Sequence, residues 1–415
     1  MSALPRNAVL LAFEGPDPYS LVGGLGTRVV ELGAALAAAG IATTLIFVGD
    51  PERPAAERLG PNLEYRRWCQ WISAYHPGGV YDGEAGKSAD YKTSVPPFVV
   101  DSIVEPAARR GEDVLIVAED WQTAPAVIEL DRLLRERGLR HRAILTWNAN
   151  NTYGFDAMDW TALTRAARVT TVSRYMKFEL RARGIESLVI PNGIPERIVG
   201  GPPEELVAAL GEALERHRPL FVKVGRYDED KRWMQAIEAF ARVRERNPRA
   251  MLVVRGGREA YGETVFARAR ELGLTVEDVA VASHEPDDFI AALAGAQGPV
   301  VNLRTFVPED LLFALYYVAD AVLANSGKEP FGLVGLEVMA ASGVAVTGST
   351  GEDYAHPFEN SIVCDTGDGS ELAAYLEATI ADPVLARSMR AAGEATAQRC
   401  TWPTVLEILA RKIAF

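Results

Sequence analysis

Short apolar runs recur along the chain and alternate with stretches of helical period. This is the pattern of strands buried on both faces between covering helices. In the first half the runs predict strands at residues 8–13, 42–48, 114–118, 143–147, 169–172 and 188–190, with helices at 27–39 and 122–137. The pattern then restarts. Strands are predicted at 220–224, 250–254, 279–282, 300–303, 321–324, 344–347 and 361–364, and helices at 231–247, 262–272, 309–318, 331–342 and 370–380. Residues 402–415 carry Trp402, Val405, Leu406, Ile408, Leu409 and Ile413 on one helical face, the mark of an amphipathic terminal helix. The fold class is α/β, built from doubly wound parallel sheets.

Two dense groups of breakers, Pro191-Asn192-Gly193-Ile194-Pro195 and Gly200-Gly201-Pro202-Pro203, interrupt the pattern between its halves. The expected organisation is a first domain at 1–195, a second at 196–400, and a terminal helix at 401–415. Sheets of this kind bind ligands beyond the carboxyl ends of their strands. The longest uncharged stretch, 32–49, raises the question of a membrane span, but Gly40 divides it into an Ala-rich helix and a β-branched strand.

Composition narrows the function. The 415 residues carry a formal net charge of −13, a poor match for sequence-general nucleic-acid binding, which needs basic surface. Cys69, Cys364 and Cys400 lie far apart, so neither a disulfide framework nor a zinc site is expected, and no metal is assigned. The first residues lack the apolar core of a signal peptide, and a cytoplasmic location is expected. Only seven of the 43 basic residues are lysines, yet Lys223, Lys231 and Lys328 all fall beside candidate site segments.

Three loops put glycine or a helix start directly after a predicted strand. Gly23-Gly24-Leu25-Gly26 leads into a helix whose first N–H groups favour an anion. The steric needs of a strand-to-helix turn account for these glycines equally well. Gly225-Arg226-Tyr227-Asp228-Glu229-Asp230-Lys231 places an arginine fork and a lysine point charge five residues apart, able to converge on one diphosphate. A solvated charged turn is the plainer alternative. In the third loop Glu329 precedes Phe331-Gly332-Leu333-Val334, and Glu337 follows on the same helix. The eight residues between the two acids span up to about 12 Å if helical. Amides at Gly332, Leu333 and Val334 would then face a phosphate. A separate segment, residues 65–81, concentrates Trp68, Trp71, Tyr75, His76 and Tyr81, and reads either as a folded surface loop or as a binding element.

Together, E-x7-E enclosing F-G-L, a preceding V-G-R-x4-K and an earlier P-N-G-I resemble the retaining glycosyltransferases of GT-B fold. The likeness is greatest to glycosyltransferase family 4 and the glycogen and starch synthases. Val22-Gly23-Gly24-Leu25-Gly26 is similar to the synthases' G-G-L-G loop, and Glu119-Asp120-Trp121-Gln122-Thr123 to their H-D-W-Q-T stretch. The resemblance covers residues 8 to 365 and implies two Rossmann-like domains facing a central cleft.

The resemblance also implies roles. Arg226 and Lys231 would clamp the donor diphosphate, Glu337 would hold the ribose, and Glu329 would lie beside the transferred sugar as a catalytic group. Gly23, Gly24, Phe331, Gly332, Leu333 and Val334 would complete the donor site. The reaction implied is transfer of a hexose, glucose by analogy, from an ADP-, UDP- or GDP-linked sugar to a carbohydrate-like acceptor, with neither metal nor cofactor. A nucleotide-sugar hydrolase or epimerase, or a non-catalytic nucleotide-sugar-binding protein on the same fold, is the alternative. Asp120, Asn148, Trp71, His76 and Asp82 are the candidate acceptor or sugar contacts.

The chain departs from the synthase pattern at Leu21, where a lysine is expected, and at Glu119 and Asn148, where histidines are expected. All three lie in the first domain, which speaks against elongation of an α-glucan. His141, His217 and His284 carry no case for catalysis. His356 stays a candidate only through its loop, which lies near the donor sugar in relatives.

Overall fold

The computed structural model describes residues 4–283 and 285–414. His284 lies outside them. Contacts divide the chain into two compact units, residues 1–195 with 401–415, and residues 196–400.

The first unit is built on an eight-stranded sheet: β1 (Asn7–Leu11), β2 (Ala42–Val48), β3 (Ala56–Arg58), β4 (Leu63–Trp68), β5 (Val114–Glu119), β6 (Ala143–Ala149), β7 (Arg168–Thr171) and β8 (Leu188–Val189), in the order β3-β4-β2-β1-β5-β6-β7-β8. Only β3 runs antiparallel to its neighbour. The inner strands are buried over most of their length and largely apolar because helices cover both faces. Helix Gly24–Ala38 lies on one face, packing Val29, Leu32 and Leu36 against β1 and β2, and the terminal helix Trp402–Ile413 adds Trp402, Val405 and Leu409 to the same cluster.

The second unit repeats the scheme with seven parallel strands: β9 (Leu220–Val224), β10 (Met251–Arg255), β11 (Val276–Val279), β12 (Val300–Leu303), β13 (Ala321–Ala324), β14 (Ala345–Thr347) and β15 (Ile362–Val363), ordered β11-β12-β10-β9-β13-β14-β15. Both units are Rossmann-like. In each, successive connections leave in opposite directions from one pair of neighbouring strands. Those pairs are β1 with β5 and β9 with β13. At such a switch point the loops diverge and leave a crevice beyond the carboxyl ends.

Two expectations need correction. Residues 63–68 form β4, paired in parallel with β2, so the aromatic segment begins inside the sheet. Trp68 packs on Phe98, with ring centroids 5.0 Å apart, and its Nε1 donates to Ser94 at 2.6 Å. The strand expected at 279–282 ends at Val279, because the preceding residues Val276–Glu277–Asp278 take the places beside β12. Among the described residues no helix is long and apolar enough to cross a membrane.

Candidate active site

In the second unit, the loops after β9 and β13 leave the switch point side by side. Lys231 Nζ and Glu329 Oε2, 98 residues apart, form a direct ion pair there. Lys231 closes a short 3-10 turn, Glu229–Lys231, started by Asp228, whose side chain accepts from Asp230 N at 2.9 Å. The next residue, Arg232, has a left-handed backbone with φ 48°, and its Nη1 is buried with no hydrogen-bond partner. Gly327 N donates to Asp230 O and ties the two loops together at 2.6 Å. Arg226 is exposed at the start of its loop, and its carbonyl accepts from Trp233 Nε1 at 2.7 Å.

Beneath this pair lies a buried lysine. Lys223 Nζ donates to Leu323 O at 2.9 Å and Asn325 Oδ1 at 2.6 Å and stands 5.0 Å from the Trp233 ring centre. Asn325 Nδ2 in turn donates to Gln235 Oε1 at 2.8 Å. Burial, helped by the nearby Lys231, pushes the Lys223 amine down to about 7.

The helix Leu333–Ala340 begins at Gly332, whose φ of 78° is left-handed. A Cβ there would lie 2.6 Å from Glu352 Cγ, so the turn requires glycine on both counts. Phe331 is buried and stacks near Tyr354, with centroids 5.8 Å apart, while the Tyr354 hydroxyl donates to Gly332 O. This fixes the direction in which the amides of Leu333 and Val334 leave the helix end. Glu337 sits one turn further along, and desolvation, with Glu309 adding to it, raises its carboxyl to about 7. Thr350 Oγ1 accepts from Glu329 N at 2.9 Å and donates to Glu329 O at 3.2 Å, which pins the Glu329 backbone.

In the first unit the glycine loop is organised by an acid that follows β1. Glu14 Oε2 accepts from Gly26 N at 2.9 Å, Gly23 N at 3.2 Å and Val22 N at 3.4 Å, and Glu14 Oε1 accepts from Tyr81 Oη at 2.6 Å. A carboxylate thus takes the place at a helix N-terminus that an anion would fill. Gly23 and Gly24 have open space where a Cβ would stand, so their surroundings leave room for close approach.

Beyond β5 lies a buried polar network. Glu119 is held by Arg28 Nε at 3.1 Å, Asn148 Nδ2 at 2.9 Å and Asn150 Nδ2 at 2.7 Å, and the Arg28 Nη1 continues to Asn192. Asn148 is fully buried, and its oxygen accepts from Thr170 Oγ1 at 2.8 Å. Both of its amide N–H groups are therefore used inside the unit, on Glu119 and Asn150. Asp120 has a left-handed φ of 60°, and its carboxylate accepts from Asn150 N at 2.9 Å and Asn151 Nδ2 at 2.8 Å. Burial drives this carboxyl up to about 7, with Glu119 adding to the effect and the Asn150 donors opposing it.

The remaining candidates lie on the surface of the first unit. Trp71 is 67% exposed on the short helix Gln70–Ser73. His76 Nδ1 and Asp82 Oδ1 are 3.1 Å apart, and Gly78 N donates to Asp82 Oδ2, which holds the Asp82 carboxyl below its usual range. The structure thus joins Lys231 to Glu329 and His76 to Asp82. Arg226, Glu337 and Trp71 have no side-chain bond to the other candidates in their units among those described.

Residues 211–396 match the profile of the family Glycosyl transferases group 1. The chain is a glycosyltransferase. Its fold, two Rossmann-like domains, is that of the GT-B enzymes. It is similar to sucrose-phosphate synthase from Thermosynechococcus elongatus at 21% identity, covering 98% of both chains with a TM-score of 0.68. The E. coli trehalose-6-phosphate structure bound with UDP-2-fluoro glucose is 16% identical, with 98% of both chains covered and a TM-score of 0.66. Anabaena HepE in complex with UDP and glucose is 17% identical over 98% of this chain and 99% of that one, at a TM-score of 0.65. No curated protein matches the chain in sequence at a significant level.

Several groups that shape this glycosyltransferase's loops were missed by sequence reasoning. Glu14 carried a usable signal, an acid directly after an apolar strand and just before a glycine run. Arg28 and Asn150 carried none, because their partners come from other strands. Glu352 and Arg232 are ordinary loop residues in the sequence and stand out only through burial and backbone angle.

Proposed function

We propose that this glycosyltransferase moves a hexose, glucose first in line, from a nucleotide-diphosphate sugar to a carbohydrate-like acceptor with retention of configuration. The observation that carries the reading is the Lys231–Glu329 ion pair at the switch point of the second sheet, which joins two of the donor-site motif residues. The structural neighbours bound with UDP and glucose, or with UDP-2-fluoro glucose, support a nucleotide-linked hexose as donor.

In this reading Lys231 exchanges partners. With the donor bound it turns from Glu329 to the diphosphate, trading one charge-assisted bond for another, and Arg226 joins it as a bidentate fork. The amides at the start of helix Leu333–Ala340 add their partial positive charge. Glu337 accepts hydroxyls of the ribose. Glu329, released from Lys231, faces the sugar and stabilises positive charge at C1. The bond from C1 to the phosphate oxygen breaks with its electron pair going to the diphosphate. The acceptor oxygen bonds to C1 on the same face, and its proton passes to the departing phosphate. The resident cations and helix end supply the electrostatic stabilisation of that leaving group.

On the acceptor side, the exposed Trp71 ring offers a stacking face, with His76 and Asp82 as hydroxyl partners. Asp120 contributes a carboxylate, held in place by Asn150 and Asn151. Asn148 acts through Glu119 and Asn150 rather than on a sugar. The test is nucleoside-diphosphate release from a panel of ADP-, UDP- and GDP-hexoses, with and without sugar acceptors. Acceptor-dependent release with an α-linked product from an α-linked donor supports the reading. Release that is independent of any acceptor assigns the protein to hydrolysis instead.

A further inference from the structure

Glu352 has no role in the steps above, yet it is one of the least comfortable groups in the second unit. It lies in the turn after β14, 6% exposed, with Oε2 accepting from Thr350 N at 3.3 Å. Its Oε1 is buried and has no hydrogen-bond partner. That oxygen points into a cradle left by two glycines: a Cβ on Gly332 would stand 3.0 Å from it, and one on Gly348 would stand 3.7 Å away. The same turn reaches Glu329 through the two Thr350 bonds, so Glu352 sits directly beneath the segment from Glu329 to Gly332.

A buried carboxylate with a bare oxygen and a second carboxylate close by is an uncompensated charge, which folded proteins avoid by keeping the proton. The charged groups that act on it are Glu329 and Lys231 from the two facing loops, with Tyr354 from its own turn close by. Lys231, the cation among them, is already bonded to Glu329. We propose that Glu352 is a positioning residue of the donor site, kept as an uncharged acid beneath the Glu329–Gly332 turn so that Lys231 stays available to the donor diphosphate. This rests on the donor reading given above.

Burial and Glu329 push the Glu352 carboxyl up to about 8. Once ionised, it competes for Lys231 and adds a like charge beneath the phosphate-facing amides. Nucleotide affinity should therefore fall on the alkaline side. Glu337, raised to about 7, titrates earlier and touches the ribose rather than Lys231, so its effect precedes that of Glu352.

The experiment is calorimetric binding of ADP, UDP and GDP to the full chain between pH 6.5 and 9, for wild type, Glu352→Gln and Glu352→Ala. In the wild type, affinity for the preferred nucleotide drops about tenfold above pH 8, the effect of one added like charge near the phosphates. Glu352→Gln removes that drop and binds within about threefold of the wild type at pH 7, because an amide keeps the neutral shape. Glu352→Ala binds about tenfold more weakly at every pH, since the turn loses its support. The same alkaline drop in Glu352→Gln would overturn the proposal, as would wild-type affinity in Glu352→Ala. If the alanine variant does not fold, the glutamine profile alone decides. Absence of binding by any of the three nucleotides to folded wild type would refute the donor reading itself, a result distinct from either.

Discussion

Lys231 and Glu329 meet across the carboxyl ends of β9 and β13, and the two loops that carry them are tied backbone to backbone by Gly327 N and Asp230 O. A pairing of this kind makes each residue a stand-in for what the other binds. Lys231→Ala should reduce kcat/KM for the donor by about 100-fold or more, the usual cost of removing one preorganised charge donor. Glu329→Gln should lower kcat and leave donor affinity equal or improved, because Lys231 is freed. Steady-state kinetics on both variants checks the split.

Arg232 is strained and costly where it stands. Its φ of 48° suits glycine, and its Nη1 is buried without a partner. Arg232→Gly should stabilise the second unit by about 1 kcal/mol through relief of the left-handed backbone. On a unit of this size that raises Tm by about 2–4 °C. Calorimetry reads it directly, and a lower Tm would show that the guanidinium contributes more than its backbone costs.

The first unit contains the opposite case, a buried charge fully compensated. Glu119 depends on Arg28 for its only cation among the described contacts, at 3.1 Å. Arg28→Ala leaves that carboxylate stranded and should cost about 3–5 kcal/mol. The double variant with Glu119→Gln should recover much of the loss. Urea unfolding of the single and double variants measures the coupling.

Stability should also follow pH in a set direction. The Asp120 and Glu337 carboxyls are raised from 3.8 and 4.5 to about 7, and Glu352 to about 8. Between those limits the folded chain holds protons that the unfolded chain has released, so stability falls as pH rises. Lys223 acts in the other sense. Its amine is lowered from 10.5 to about 7, so above that pH the unfolded chain binds the extra proton and stability rises again. Across pH 5–9.5 the second unit should therefore show a minimum near neutrality. Lys223→Met should abolish the alkaline rise and Glu337→Gln should flatten the acid side, as read by Tm against pH.

How much of this was legible beforehand depends on where the stabilising partner lies. Strands such as β2, β9, β12 and β13 are read from the sequence with their observed ends, because a strand covered on both faces is mostly apolar and announces itself. β4 is hidden because Leu63, Tyr65 and Arg67 alternate with more exposed residues, so Glu64, Arg66 and Arg67 make it look like a charged loop. The helix Glu84–Val99 is masked by Pro96, Pro97 and a low apolar content. The donor motifs are legible because helix starts and strand ends carry local signatures in glycine and charge. What the sequence withholds is who neutralises whom. Arg28 on Glu119 and the bare oxygen of Glu352 are long-range or buried relationships, and neither leaves a spacing to find.

The central claim is that the loops around Lys231 bind a nucleoside diphosphate. The most direct measurement is a thermal-shift panel of ADP, UDP and GDP on the wild type and on Lys231→Ala. One nucleotide should stabilise the wild type, approaching about 2.7 kcal/mol at 100 times its Kd, and the variant should lose most of that shift. Folded wild type that responds to none of the three, or a variant that responds equally well, would contradict the account.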